Sequence, residues 1–216
     1  MSRAIASLGC GPQEALLQLA ARTFRPYAAR WGYDLHLHTE PVDGSRPVPW
    51  SKVPILRELL AGNEVVVWLD ADLMIVDGRR DLADELPADN LMAMVEHRTK
   101  EGQMPNSGVW VLRGGDEAVA LMDEIWAQED LVDHRWWENA AICRLLGYRL
   151  DPVGPGSPTA LTARTAWLDG RWNAIADAPA ARPRIRHYPG YALRTRRAFM
   201  LRDAALVAAR RAVGRW

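Results

Sequence analysis

Two aspartates, Asp70 and Asp72, close the run VVVWLDAD that begins at Val65. In an extended chain, residues i and i+2 project to the same side. The spacing therefore predicts two carboxylates aimed at one point, with Ala71 turned away between them and too small to crowd them. Carboxylates so placed repel one another unless a cation joins them. Oxygen donors with open positions suit magnesium or manganese, which keep coordination sites for substrate phosphates. Asp70 and Asp72 are thus candidate ligands for a divalent ion that neutralises a diphosphate. A bare Asp-x-Asp is equally the pattern of a turn whose side chains bind backbone amides or cap a helix. The apolar residues 65–69 favour the metal site, because parallel sheets collect their ligands beyond the carboxyl ends of their strands.

The elements around this pair follow from the apolar pattern. Residues 4–8 read as a first strand, stopped by the turn Gly9-Cys10-Gly11-Pro12. Residues 13–31 repeat apolar side chains at helical spacing, with Pro26 expected to split or kink the helix and Gly32 ending it. Residues 33–39 alternate as a second strand, with His36 and His38 on its polar, surface side. Residues 50–60 read as a helix that Ser51 caps. Residues 65–69 are apolar on both faces, as in a central parallel strand. Further strands are predicted at 91–95, 109–112 and 184–188, helices at 116–128, 136–146 and 192–213, and a loop at 151–158. Strand-helix-strand-helix-strand order predicts an α/β fold with a Rossmann-like, mostly parallel central sheet flanked by helices.

Several segments form an ordered set: YDLHLHTE, PWSKVPILRELL, VVVWLDADLMIVD, NSGVWVLRGG, WWENAAICRLLG, WNAIAD and RIRHYPG. Over residues 3–191 this series resembles nucleotide-sugar glycosyltransferases of the A-type fold. It is most similar to the galactosyl/xylosyl/mannosyltransferase family of fungal and plant Golgi enzymes and its short bacterial relatives. The resemblance implies a mixed, mostly parallel sheet and a metal held by Asp70, Asp72 and His187, the histidine of HYPG. It implies that Asn106, Ser107 and Gly108 line the donor-sugar and acceptor side. Trp137 and Glu138 fall where the family often has an acidic residue followed by glutamine, and Asn139 departs from that pattern. Glu138 and Asp72 are the implied catalytic residues, with Asp133 a weaker candidate beside Glu138. Lys52 matches a lysine that reaches a phosphate or a sugar hydroxyl. Ser7, Leu8 and Gly9, together with Ala71, are placed against the nucleotide.

The implied activity moves a hexose from a nucleotide-diphosphate sugar, UDP-sugar before GDP-sugar, to an acceptor hydroxyl with retention of configuration. The cofactor is Mn2+ or Mg2+, and the acceptor a glycan, a lipid-linked sugar or a small molecule. One alternative is a nucleotide-sugar-binding protein without transfer. Another is a phosphohydrolase, whose first aspartate is a nucleophile; that pattern carries threonine or valine two places after the second aspartate, whereas Leu73 and Met74 follow it here.

Composition sets the outer bounds. A hydrophobic content of 49% over 216 residues suits one domain, read as a catalytic domain at 1–191 followed by an arginine-rich amphipathic helix at 192–216 packed on it. Formal net charge is zero, which excludes the global basic field of a nucleic-acid binder. Of the 27 basic residues only Lys52 and Lys100 are lysines. Cys10 and Cys143 cannot form a metal-binding cysteine cluster and read as free thiols. No stretch approaches the roughly 20 apolar residues that span a bilayer. The expectation is a cytoplasmic protein, with peripheral contact at the inner face of the membrane through the C-terminal helix as a further option.

Overall fold

A computed structural model describes residues 2–216. Met1, at which the expected domain begins, lies outside them. The elements run β1 (Arg3–Leu8), α1 (Glu14–Trp31), β2 (Asp34–His38), α2 (Lys52–Gly62), β3 (Val65–Leu69), β4 (Leu73–Ile75), β5 (Met92–Thr99), β6 (Gly102–Arg113), α3 (Asp116–Trp126), α4 (Trp137–Leu145), β7 (Tyr148–Leu150), β8 (Val153–Pro155), α5 (Ala160–Ala163), β9 (Thr165–Trp167), β10 (Ile185–His187) and α6 (Leu193–Ala212). The main sheet has the order β2-β1-β3-β6-β5-β9. β1 is parallel to β2 and β3, and β5 to β9, while β6 runs antiparallel to both β3 and β5. The chain leaves β1 toward β2 on one side and returns to β3 on the other. The strand order therefore reverses between β1 and β3, which makes their carboxyl ends the sheet's switch point.

Apolar side chains cover both faces of this sheet. Ile5, Val67, Leu69 and Val111 meet Leu16, Ala20 and Phe24 of α1 on one side. Ala4, Val66, Trp68, Trp110 and Leu112 meet Leu56, Met122 and Ile142 of α2, α3 and α4 on the other. This two-sided burial is why the run 65–69 shows no polar alternation.

Several local expectations are corrected. α1 passes through Pro26 unbroken, because Arg22, whose carbonyl loses its usual partner, is exposed to water. Gly32 ends α1 in the left-handed conformation at φ 72°. Ser51 does not cap α2; a short 3-10 turn leads into that helix, and the Ser51 hydroxyl instead accepts from the Val42 amide at 3.3 Å. Residues 151–158 contribute β8, which pairs antiparallel with β7 in an edge hairpin where proline and glycine are tolerated.

The hairpin β5–β6 is longer than its apolar pattern indicated, since Glu96, Arg98 and Gln103 interrupt it. Met94 faces Trp110, but the next residue, Val95, faces Asn106. Ser107, Gly108 and Val109 thus leave the ladder with β5 as a bulge just before the predicted strand 109–112. Outside the main sheet, β10 pairs antiparallel with β4, setting His187 opposite Leu73. α6 lies across α1 and β4, and its buried successor Trp216 donates from Nε1 to the Ile75 carbonyl at 3.2 Å. No described helix is long and apolar enough to cross a membrane.

Candidate metal and donor site

The chain does not continue extended past β3. It turns through Asp70–Asp72, the Leu73 amide donating to the Asp70 carbonyl at 3.3 Å. The two carboxylates converge because of that turn, not because of extended alternation. The Gly108 carbonyl in the β6 bulge accepts from the Asp70 amide at 2.9 Å, and the Asp72 carbonyl accepts from the Tyr188 amide at 3.1 Å. One ligand atom from each of Asp70, Asp72 and His187 lies within 4.8 Å of the other two. His187 Nε2 stands 3.2 Å from Asp72 Oδ1 and 3.8 Å from Asp70 Oδ2.

A chain of hydrogen bonds decides what His187 offers. The Gly108 amide can only donate, and it donates to Asn106 Oδ1 at 3.0 Å. Asn173 Nδ2 donates to the same oxygen at 2.8 Å, which leaves Asn173 Oδ1 to accept from His187 Nδ1 at 2.9 Å. A neutral His187 therefore carries its proton on Nδ1 and presents the Nε2 lone pair to two carboxylates. Three lone-pair donors facing each other need a cation, and an imidazole oriented through its other nitrogen is the usual arrangement of a metal ligand. Gly108 makes room for the ring: a Cβ there would lie 2.4 Å from His187 Cε1. These residues fit a divalent ion with mixed oxygen and nitrogen ligation.

Lys52 is buried, with its Nζ 2.6 Å from Glu138 Oε1, 3.0 Å from Ser107 Oγ and 3.3 Å from Asp70 Oδ1. Burial alone would depress the ammonium, but the carboxylates of Asp70 and Glu138 outweigh it and hold Lys52 above its ordinary value. Burial raises the Glu138 carboxyl against the pull of Lys52. Trp68 Nε1 donates to Asp70 Oδ1 at 2.6 Å. Lys52 thus links the end of β3, the β6 bulge and the start of α4. Asn139, the departure from the family pattern, has a structural task here. Its Oδ1 accepts from the Ser107 amide at 2.8 Å and its Nδ2 donates to the Pro105 carbonyl at 3.2 Å, which braces the bulge.

The remaining candidates spread around this centre. Gly9, at the end of β1, lets α1 and the β3 turn approach: a Cβ would meet Leu17 Cβ at 2.7 Å and Ala71 Cβ at 3.2 Å. The Ser7 hydroxyl is buried without a hydrogen-bond partner among the described residues, and Leu8 is half-buried beside it. Trp137 is exposed and holds φ 46°, a conformation disfavoured for a bulky residue. Asp133 is exposed and is not among the residues whose ligand atoms converge. His36 and His38 are half-buried rather than open surface residues.

Two residues of the site were missed. Asn173 is buried and orients His187; no local pattern marks an asparagine in WNAIAD for that task. Arg196, read only as one of many arginines on the last helix, sets its Nη1 3.1 Å from Asp72 Oδ2 and is held by the Tyr191 carbonyl at 2.8 Å. Burial opposes ionisation of Asp72, but a cationic His187 ring, in the absence of a metal ion, and Arg196 outweigh it and hold the carboxyl below its ordinary range.

No protein-family model matches the chain, and no curated protein matches it by sequence. Solved structures match its fold. A glycosyltransferase involved in the glycosylation of the major capsid of PBCV-1 has a TM-score of 0.68 at 16% identity, over 92% of this chain and 99% of that one. The galactosyltransferase LgtC, solved with donor and acceptor sugar analogs, has a TM-score of 0.60 at 12% identity over 95% of each chain. GlyE of Streptococcus pneumoniae has a TM-score of 0.60 at 17% identity over 96% of this chain; the match spans 63% of GlyE. At such identities the likeness is one of architecture. The chain has the glycosyltransferase A-type fold, with an Asp-Asp-His cluster just beyond the carboxyl end of β3.

Proposed function

We propose that the chain is a metal-dependent hexosyltransferase that uses a nucleotide-diphosphate sugar, UDP-sugar in preference to GDP-sugar, and retains anomeric configuration. The observation that carries this reading is the convergence of Asp70, Asp72 and His187 at the sheet's switch point. These three would hold the ion, manganese rather than magnesium because an imidazole is among the ligands. When bound, it supplies Lewis-acid neutralisation of the leaving diphosphate.

The other roles follow from the chain's own groups. Arg196 adds a guanidinium at Asp72, suited to a phosphate oxygen. The ends of β1 and β3, brought together at Gly9 and Ala71, receive the nucleoside, with Ser7 and Leu8 behind them. Lys52 keeps Asp70 and the Asn106–Ser107–Gly108 bulge in place beneath the sugar. Glu138, held by Lys52, opposes positive charge that develops at the anomeric carbon, and Trp137 lies at the mouth. The acceptor hydroxyl attacks that carbon as its bond to the diphosphate breaks, and the proton passes to the leaving phosphate oxygen. Retention by this front-face route is supported by the engagement of each carboxylate: Asp70 by Trp68 and Lys52, Asp72 by Arg196, Glu138 by Lys52. The acceptor is a glycan, a lipid-linked sugar or a small molecule. We place the reaction in the cytoplasm, where Cys10 and Cys143 stay as thiols.

Calorimetric titration with UDP- and GDP-sugars, with and without manganese, tests the reading. Asp72→Asn is expected to abolish metal-dependent binding, and unchanged affinity would remove the central site. Binding without turnover across a broad acceptor panel would favour a non-catalytic protein. Phosphomonoester cleavage without nucleotide sugar would favour a phosphohydrolase.

A further inference from the structure

The chain's formal net charge is zero, yet its arginines are not evenly spread. A cleft of about 860 Å³ is lined by Arg79, Arg171, Arg182, Arg186, Arg210 and Arg215 and by a single acid, Asp77. Asp77 is taken by Arg79 at 2.8 Å and by Arg184 at 3.3 Å, and Arg186 is taken by Asp203 at 2.6 Å. Among the described residues, the guanidinium groups of Arg171, Arg182, Arg210 and Arg215 have no carboxylate within 4.0 Å. Backbone carbonyls orient two of them without neutralising them. Arg171 Nε donates to the Arg182 carbonyl at 2.8 Å, and Arg210 Nη1 donates to the Val76 carbonyl at 3.0 Å. Guanidinium groups gathered around a concave space repel one another, and their fields add inside it. Their planar forks match phosphate oxygens.

This cleft meets a second one of about 290 Å³ at Pro183 and Arg186. The smaller cleft runs alongside His187, the one residue of the metal centre that lines it, and its walls include Tyr188, Tyr191 and Phe199. Aromatic walls suit the apolar face of a sugar ring, with a few polar groups to orient it. Outward from His187 the order of surfaces is therefore aromatic walls, then arginines.

We infer that the arginine-lined cleft binds a phosphate group carried by the acceptor, whose sugar occupies the aromatic cleft beside His187. The acceptor class is then a phosphorylated glycan or sugar phosphate. The assignment of an acceptor rests on the glycosyltransferase reading; the existence of the anion site does not.

The test separates the two. Inorganic tripolyphosphate is titrated into the full chain by calorimetry in metal-free buffer, where the Asp70–Asp72 site repels anions. The double variant Arg182→Glu with Arg215→Glu is expected to lose at least tenfold in affinity; both positions are exposed and lie outside the proposed transfer machinery. A control, Arg22→Glu with Arg25→Glu on the exposed side of α1, is expected to bind as the parent does. Equal affinity in parent and cleft variant, or equal loss in the control, would overturn the site. Manganese-dependent binding of the nucleotide sugar should be the same in parent and cleft variant. Transfer to one sugar with and without a phosphate group should then show a KM at least tenfold lower for the phosphorylated form, a preference lost in the cleft variant. Equal KM values would overturn the acceptor assignment while leaving the donor reading intact. Capture by phosphatidylglycerol vesicles without any tripolyphosphate binding would also overturn it, in favour of a membrane surface.

Discussion

Gly108→Ala removes no ligand, yet it should disable the metal centre. The added methyl would sit 2.4 Å from His187 Cε1 and 2.9 Å from Asn106 Oδ1. Ordinary carbon contacts begin near 3.5 Å, so the ring or the strand must move by about 1 Å. Neither gives way easily. The bulge is tied by the Asp70 amide to the Gly108 carbonyl at 2.9 Å, and the ring by Asn173 at 2.9 Å. Metal–ligand distances tolerate only about 0.2 Å. A disturbed histidine should weaken manganese binding by about 10- to 100-fold. Overpacking should also reduce stability by about 1–3 kcal/mol, and each kcal/mol lowers the melting temperature of a chain this size by about 2–4 °C. Manganese titration by calorimetry on the parent, Gly108→Ala, His187→Ala and the double variant forms a cycle. If alanine acts through His187, the double variant binds manganese no worse than His187→Ala alone. Parent-like affinity and melting in Gly108→Ala, or additive losses in the double variant, would refute the reasoning.

Lys52→Met should destabilise by about 3–5 kcal/mol, because Glu138 is left as an unpaired buried carboxylate. Adding Glu138→Gln should recover most of that loss in urea unfolding, and additive losses would contradict the pairing. His97 is buried, and burial pushes its imidazole down to about 4. The unfolded chain then binds the proton more tightly, so its contribution is intact above pH 6.5 and falls as pH drops toward 4, by at most about 1.36 kcal/mol per pH unit. His97→Gln should flatten that slope in thermal melts taken across the interval. Trp216→Ala should cost about 3–5 kcal/mol, since the indole is buried over Gly78 and against Ile75. An unchanged denaturation midpoint would show that α6 does not belong to the folded unit.

The acidic pair, the central strand before it and the order of strands and helices were legible because each is a local pattern. A five-residue run apolar on both faces reads by its length as a buried strand, and a polar pair after it lies beyond that strand's carboxyl end. Glycine stops such as Gly32 are legible for the same reason, since one residue's backbone freedom decides them. His187 was reached through resemblance, not through physics, because a lone histidine carries no spacing signal. The burial of Lys52, the β6 bulge, the Asn106–Asn173–His187 chain and the reach of Arg196 to Asp72 were not legible. Each joins side chains from elements far apart in the chain, and their partners are set by which strands pair and how helices lie across them. Arg196 and Arg182 have the same residue type in similar arginine-rich surroundings. One is drawn to the metal centre and the other lines an open cleft, and only the packing of α6 against β4 and the pairing of β10 with β4 separate them. Sequence determined where the carboxylates sit along the chain; tertiary structure decided what faces them, because charge acts through space and not along the backbone.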